Sequence, residues 1–135
     1  SGDKPKVFAE VKRVAATGAQ FIFTDPMQSD NCPDNVLDPI LQRIHLKELG
    51  SVKRYRQLAS ENGLKEEAIL EMPEQLVNHY SAVLRELDSR NEELRKVCSP
   101  AYIDNMKKGL QHWINGGKNG YLNWGILIFS KQPAA

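Results

Sequence analysis

Along the first third of the chain, apolar residues recur first at helical spacing and then in a short continuous run. Helical spacing over residues 3–17 predicts an amphipathic helix that Asp3 caps and Gly18 ends. The apolar run Gln20 to Thr24 then predicts a short buried strand that ends at Asp25 and Pro26.

Two helices and a second strand are predicted next. Apolar residues from Val36 to Leu49 repeat at helical spacing, and Gly50 ends that helix. Ser51 caps another helix, which stops at Gly63. The segment "LKEEAILEM" predicts a strand centred on residues 68–72 and ended by a proline.

The last third predicts long helices and a third strand. A helical stretch from Leu76 continues through the charged segment "LDSRNEELRKVC". Ser99 and Pro100 begin another helix, which Gly116 and Gly117 are expected to end. The closing segment, "GGKNGYLNWGILIFSK", is almost wholly apolar from residue 121 to 129, which is typical of a strand buried on both faces. The prediction is about five helices and three strands, in the order α-β-α-α-β-α-α-β.

This sheet is too small for a layered α/β domain, which usually has about five or six strands. The runs "FIF" and "WGILIF" contain no lysine or proline that would protect an exposed edge. We therefore expect an incomplete sheet. Either another chain completes it, or the sequence is the second half of a longer domain.

Length and charge narrow the class of protein. The chain has 135 residues, which is enough for one domain with one core. A formal net charge of +1 argues against bulk electrostatic binding to nucleic acid or to an anionic membrane. No apolar stretch approaches the roughly 20 residues of a membrane span. The polar start, "SGDKPKVF", does not resemble a signal peptide, and its first residue, Ser1, leads us to expect a cut inside a longer protein.

Cysteine and histidine usage gives no sign of a metal site. Cys32 and Cys98 lie far apart, and neither belongs to a CxxC pair, so we expect free thiols in a reducing compartment such as the cytoplasm. His45, His79 and His112 lack ligand spacing with one another. We expect no metal.

The segments in order resemble the C-terminal half of a class I S-adenosylmethionine-dependent methyltransferase. "EVKRVAATGAQFIFTDPM" is similar to the family's fourth helix and fifth strand, "YRQLASENGLKEEAILEM" to its next helix and sixth strand, and "WGILIFSK" to its antiparallel last strand. The most specific stretch, "SPAYIDNMKKGLQHWINGGKNGYLNWG", resembles the sarcosine and dimethylglycine N-methyltransferases. The resemblance implies an α/β fold with a partial Rossmann-like sheet of about three strands, the last antiparallel, and about five helices.

The same resemblance implies what this chain lacks. The family binds its cofactor with a Gly-rich turn after the first strand, and residues 1–135 contain no GxGxG motif. We expect the chain to be a single domain without the cofactor-binding half, so no cofactor-binding residue is assigned. It would supply the acceptor side of an enzyme that methylates a small amino acid with S-adenosylmethionine, and it would be inactive alone.

Ligands of open α/β sheets bind beyond the carboxyl ends of the parallel strands. Asp25 and Met27 follow such a strand and are candidate substrate-binding residues, although Asp25 could instead start an Asx turn before the proline. Aromatic walls suit a methylated ammonium group, and Tyr80 and Trp124 are the candidate aromatic residues for such a wall.

A carboxylate on the acceptor favours a forked arginine. Arg43 is the candidate, and a solvated charge on a helix surface is the alternative. His45 joins the substrate-binding set, and His45 or His79 could act as a general base if either lies in a pocket.

The sequence is compatible with two functions of different classes. In one, the chain is half of an N-methyltransferase with a small amine or amino acid as substrate. In the other, it is a non-enzymatic α/β module that dimerises through its open sheet. Both predict a partner, either a second copy of the chain or an N-terminal half of the same fold.

Overall fold

The computed structural model describes residues 1–134. Its helices are α1 (Lys4–Val14), α2 (Asp38–Ile44), α3 (Val52–Glu61), α4 (Pro73–Ser89), α5 (Asn91–Leu94) and α6 (Pro100–Lys118). Its strands are β1 (Gln20–Gln28), β2 (Leu64–Glu71) and β3 (Leu122–Lys131). The predicted strands and the antiparallel last strand are confirmed. The helix count is one short because Arg90 interrupts the charged helical stretch before α5.

Three side-chain caps predicted or implied by the pattern are present. The carboxylate of Asp3 accepts a hydrogen bond from the N–H of Lys6, the hydroxyl of Ser51 accepts one from Arg54, and that of Ser99 accepts one from Tyr102. Each cap satisfies a backbone donor that has no partner within its helix. These local contacts explain why the starts of α1, α3 and α6 could be predicted.

The sheet has the strand order β1-β3-β2, and both pairs are antiparallel. The apolar β3 is the central strand, with Phe21 of β1 opposite Phe129 and Glu66 of β2 also opposite Phe129. Strands β1 and β2 are both edges, as expected for an incomplete sheet.

Helices cover both faces of β3. On one face, α1 and α3 pack against the sheet in a core that includes Phe8, Leu58 and Phe129. On the other face, α2, α4 and α6 pack against β3 in a second core. This core includes Ile40, Leu76, Trp113 and Leu122. The second face is only partly covered, since Ile22 of β1 is 56% exposed and Leu70 of β2 is 49% exposed.

Strand β1 does not end at Asp25 and Pro26 as predicted but continues to Gln28. Pro26 lies opposite Trp124 in the ladder. Proline cannot donate a backbone hydrogen bond, but an edge strand has one side without a neighbouring strand, so the ring is tolerated there.

Helix α6 continues through Gly116 and Gly117, where the sequence predicted its end. A Cβ atom at Gly117 would lie 2.5 Å from Cγ2 of Val77, and one at Gly116 would lie 2.8 Å from Cδ1 of Leu122. The two glycines therefore allow α6 to pack closely on α4 and β3.

The helix predicted from Val36 to Leu49 is also shorter, because α2 ends at Ile44. His45 follows it in the left-handed conformation with φ 56°, which closes the helix with a backbone hydrogen bond to Gln42. The second strand, Leu64–Glu71, starts with the predicted segment "LKEEAILEM" and ends one residue before it.

Candidate functional site

A cavity of about 430 Å³ opens on the partly covered face of the sheet, beside α4. Side chains from β1, α4 and β3 line it, namely Thr24, Pro26, Gln75, Leu76, His79, Tyr80 and Trp124. It brings together two of the side chains predicted to bind substrate, Tyr80 and Trp124. We call it the aromatic cavity.

Stacked rings form the wall of the aromatic cavity. Tyr80 stacks on Trp113 of α6, with ring centroids 5.0 Å apart and planes 24° apart. The imidazole of His79 lies edge-on to Tyr80 at a centroid distance of 5.1 Å. Because Trp113 lies in the second core, it fixes the orientation of Tyr80 from behind.

The polar side chains that line this cavity are Thr24, Gln75, His79 and Tyr80. Burial raises the pKa of the Tyr80 phenol, so this hydroxyl stays protonated at physiological pH. Among the residues that line the cavity in the described chain, none is a Lys, Arg, Asp or Glu. Aromatic faces with neutral hydrogen-bonding groups can hold a small methylated cation by cation–π attraction.

Asp25 lies on the opposite face of the sheet, because neighbouring residues of a strand point to opposite sides. The hydroxyl of Tyr55 donates a hydrogen bond to its carboxylate. Burial raises the pKa of Asp25, and the hydrogen bond from Tyr55 and the charge of Lys4 partly offset that rise. Since Asp25 sits inside β1, it does not form the turn considered from the sequence.

A glycine makes the pairing of Tyr55 with Asp25 possible. A Cβ atom at Gly50 would lie 2.3 Å from the Tyr55 hydroxyl oxygen. Neighbouring rings pack against Tyr55, which stacks on Phe8 at 5.8 Å and meets Phe23 edge-on at 5.0 Å. Burial and the neighbouring Asp25 raise the pKa of Tyr55, so it donates rather than accepts.

The other three predicted residues lie elsewhere. Met27 is fully buried, with 0% of its surface exposed, in the core beneath α1 and α3. Arg43 donates a hydrogen bond of 2.6 Å to the backbone oxygen of Asn105 and packs over Gly109 of α6. His45 lines a separate cavity of about 510 Å³ beside Lys4 and Arg54.

Sequence reasoning did not single out Pro26, Gln75 or Leu76 as lining residues. The sequence predicts Pro26 as the end of a strand, and the other two lie in the first turns of α4. Their periodicity matches an ordinary amphipathic helix, so only the packing of α4 across β3 reveals that they share a cavity.

Within residues 1–134, no group of three or more His, Cys, Asp or Glu side chains is placed to hold a metal ion. Within the same range, no helix has both the length and the apolar character needed to cross a bilayer. Cys32 and Cys98 are both free.

Known proteins provide an independent comparison. The chain is 55% identical over 131 residues to a sarcosine/dimethylglycine N-methyltransferase of Aphanothece halophytica, which covers 97% of the chain and 47% of that protein. The present chain is therefore a relative of the sarcosine/dimethylglycine N-methyltransferases. The chain spans about half the length of the curated relatives it matches. No family model matches it.

Solved structures agree with the sequence relationship. A crystal structure assigned to a candidate sarcosine dimethylglycine methyltransferase of Galdieria sulphuraria superposes with a TM-score of 0.91 at 45% identity, over 98% of this chain and 49% of the other. A phosphoethanolamine N-methyltransferase of Haemonchus contortus, solved with S-adenosyl-L-methionine, shares the fold with a TM-score of 0.83 at 13% identity, over 97% of this chain and 30% of the other. The chain thus has part of the class I methyltransferase fold, as its sequence predicted.

Proposed function

We propose that this chain is the acceptor-binding half of an S-adenosylmethionine-dependent N-methyltransferase. Its substrate would be a small amine that carries a carboxylate, such as sarcosine or dimethylglycine. The observation that carries the proposal is 55% identity across 131 residues to an enzyme named for those substrates. The aromatic cavity also supports the proposal, because the ring faces of Tyr80 and Trp124 suit a methylated nitrogen.

Transfer of a methyl group to nitrogen depends mainly on position. The nitrogen lone pair must align with the sulfonium methyl group, and water must be excluded, so proximity and orientation supply much of the rate. Tyr80, braced by Trp113, and Trp124 offer ring faces that would hold the methyl groups of the acceptor and orient its nitrogen.

The first test joins this chain to the remaining half of the Aphanothece halophytica relative. We expect the chimera to methylate sarcosine or dimethylglycine, and the isolated chain to show no turnover. In the chimera, Tyr80→Ala should lower kcat/KM about tenfold or more, because a cation–π contact is worth about 1–2 kcal/mol. Leu87→Ala, a core change at the far end of α4, controls for loss of folding.

An inactive chimera that folds and binds the methyl donor would contradict the proposed substrate class. If the Tyr80→Ala chimera has the same kinetics as the unchanged chimera, the aromatic cavity does not bind the acceptor. The proposed reaction would not be contradicted by that result.

The second test concerns the cofactor. The part of the chain that the structure describes, residues 1–134, has no Gly-rich turn between a strand and a helix, so we expect the isolated chain to bind S-adenosylmethionine weakly. Calorimetric titration should give a dissociation constant above roughly 100 μM, which corresponds to about −5.5 kcal/mol. Tighter binding would mean that the cofactor site extends into this chain.

A second candidate function is a non-enzymatic module that dimerises through its open sheet. The exposure of Ile22 on the edge strand β1 favours it. Coding sequence upstream of Ser1 would separate the two functions, because a Gly-rich strand-turn-helix within about 150 residues would support the enzyme. A start codon directly upstream would support the module.

A further inference from the structure

The aromatic cavity has one group able to take a proton from an acceptor amine. Small secondary and tertiary amines are mostly protonated near neutral pH, and a protonated nitrogen has no lone pair for attack on a methyl group. The proposed reaction therefore needs a proton acceptor within reach of the bound ammonium.

The cavity lining restricts the choice to two titratable side chains, His79 and Tyr80. The Tyr80 phenol is held in its protonated form by burial, and a protonated phenol is a poor base. The carboxylate of Asp25 belongs to the other face of the sheet and accepts from Tyr55. His45 lines another cavity.

We propose that His79 is the general base that deprotonates the ammonium of the acceptor in the aromatic cavity. This inference rests on the proposed function. The imidazole lies on α4 one residue before Tyr80, at the wall where the methylated nitrogen would bind, and histidine is the side chain best suited to proton transfer near neutrality.

The step balances in protons and electrons. A neutral imidazole nitrogen of His79 takes the ammonium proton, and the N–H electron pair stays on the acceptor nitrogen. That pair forms the new N–C bond while the C–S bond of the sulfonium donor breaks and its electrons remain on sulfur. The side chain of His79 is exposed, so the imidazolium can pass its proton to water.

The test uses the chimera and compares kcat/KM against pH, over roughly pH 6 to 9. We expect His79→Gln to lower kcat/KM by about 100-fold near neutral pH, the lower end for general base catalysis. The variant should then gain about tenfold per pH unit, since only acceptor deprotonated in bulk water would react. Added imidazole should partly restore the rate.

His112→Gln is the matched control, because His112 lies on α6 at a different cavity. Its pH profile should match that of the unchanged chimera. Tyr80→Phe should raise KM without changing the shape of the pH profile.

Binding of betaine to the isolated chain distinguishes the proposal that His79 is a general base from the proposal that the aromatic cavity binds the acceptor. Betaine, which has no ionisable N–H, should shift the NMR signals of His79 and Tyr80 by occupying the cavity. Shifts with betaine but an unchanged pH profile for His79→Gln would overturn the general base and leave the cavity as the acceptor site. No shift with betaine or dimethylglycine would overturn the acceptor site itself.

Discussion

At the scale of single residues, glycines decide where large side chains can lie. Gly50 leaves room for the Tyr55 hydroxyl to reach Asp25, and Gly109 leaves room for the Arg43 guanidinium on α6. Neither role can be read from the sequence, where Gly50 appeared only as the end of a helix. The structural reason is a contact between segments, which local pattern does not encode.

Gly50→Ala should destabilise the chain. The new Cβ would overlap the Tyr55 ring, which Phe8 and Phe23 hold in place, and overpacking of this kind costs about 1–3 kcal/mol. Urea unfolding measures the loss. Gly2→Ala is the control, since its Cβ would meet Leu46 at an ordinary 3.6 Å. Equal stability of the two variants would show that Tyr55 can move.

At the scale of elements, α6 organises the second face of the sheet. It packs on α4 through Gly117, stacks Trp113 on Tyr80 and accepts a hydrogen bond from Arg43 of α2. Helices α2 and α4, which carry the predicted substrate-binding residues Arg43 and Tyr80, are therefore positioned by the same helix. Their relative placement depends on tertiary packing rather than on helix propensity.

Arg43→Ala tests whether the arginine binds the acceptor carboxylate or only links α2 to α6. A carboxylate clamp binds ground and transition states alike, so if Arg43 is that clamp the variant chimera will show a higher KM with a smaller change in kcat. Arg90→Ala is the control, because Arg90 pairs with Glu86 and Glu93 at the end of α4. Unchanged KM with a lower melting temperature would leave Arg43 a structural link.

At the scale of the whole molecule, the sheet is open at β1. Ile22 is 56% exposed there, and the edge strand presents unpaired N–H and C=O groups to any strand that can add to it. Burial of one such side chain is worth about 1.5–3 kcal/mol, which is a large part of a typical stability margin of about 5–15 kcal/mol.

We therefore expect the isolated chain to form a two-fold dimer, or to associate with an N-terminal half, at micromolar concentration. Sedimentation measures its mass. Ile22→Lys should weaken the association, because a charged edge resists strand addition. Val97→Lys, at a position 80% exposed after α5, is the control. A compact and fully folded monomer would contradict this prediction and the argument that part of the fold is missing.

Three features of this protein could be predicted from consecutive residues alone, namely the starts of three helices, the buried third strand and the relationship to the methyltransferases. Caps at Asp3, Ser51 and Ser99 depend on contacts within three residues, and the apolar run of β3 predicts burial wherever it packs. Local interactions of this kind are written in consecutive residues, so pattern is sufficient to find them.

Other features depend on contacts between distant segments. Strand β1 continues past Pro26, and α6 continues through Gly116 and Gly117. Tyr80 and Trp124 share a cavity, and Arg43 does not line it. Proline is tolerated in β1 because the strand is an edge. Glycine is needed at the two positions in α6 because side chains of α4 and β3 pack directly against them. In each case the deciding neighbour lies far away along the chain, and its effect exists only after the chain has folded.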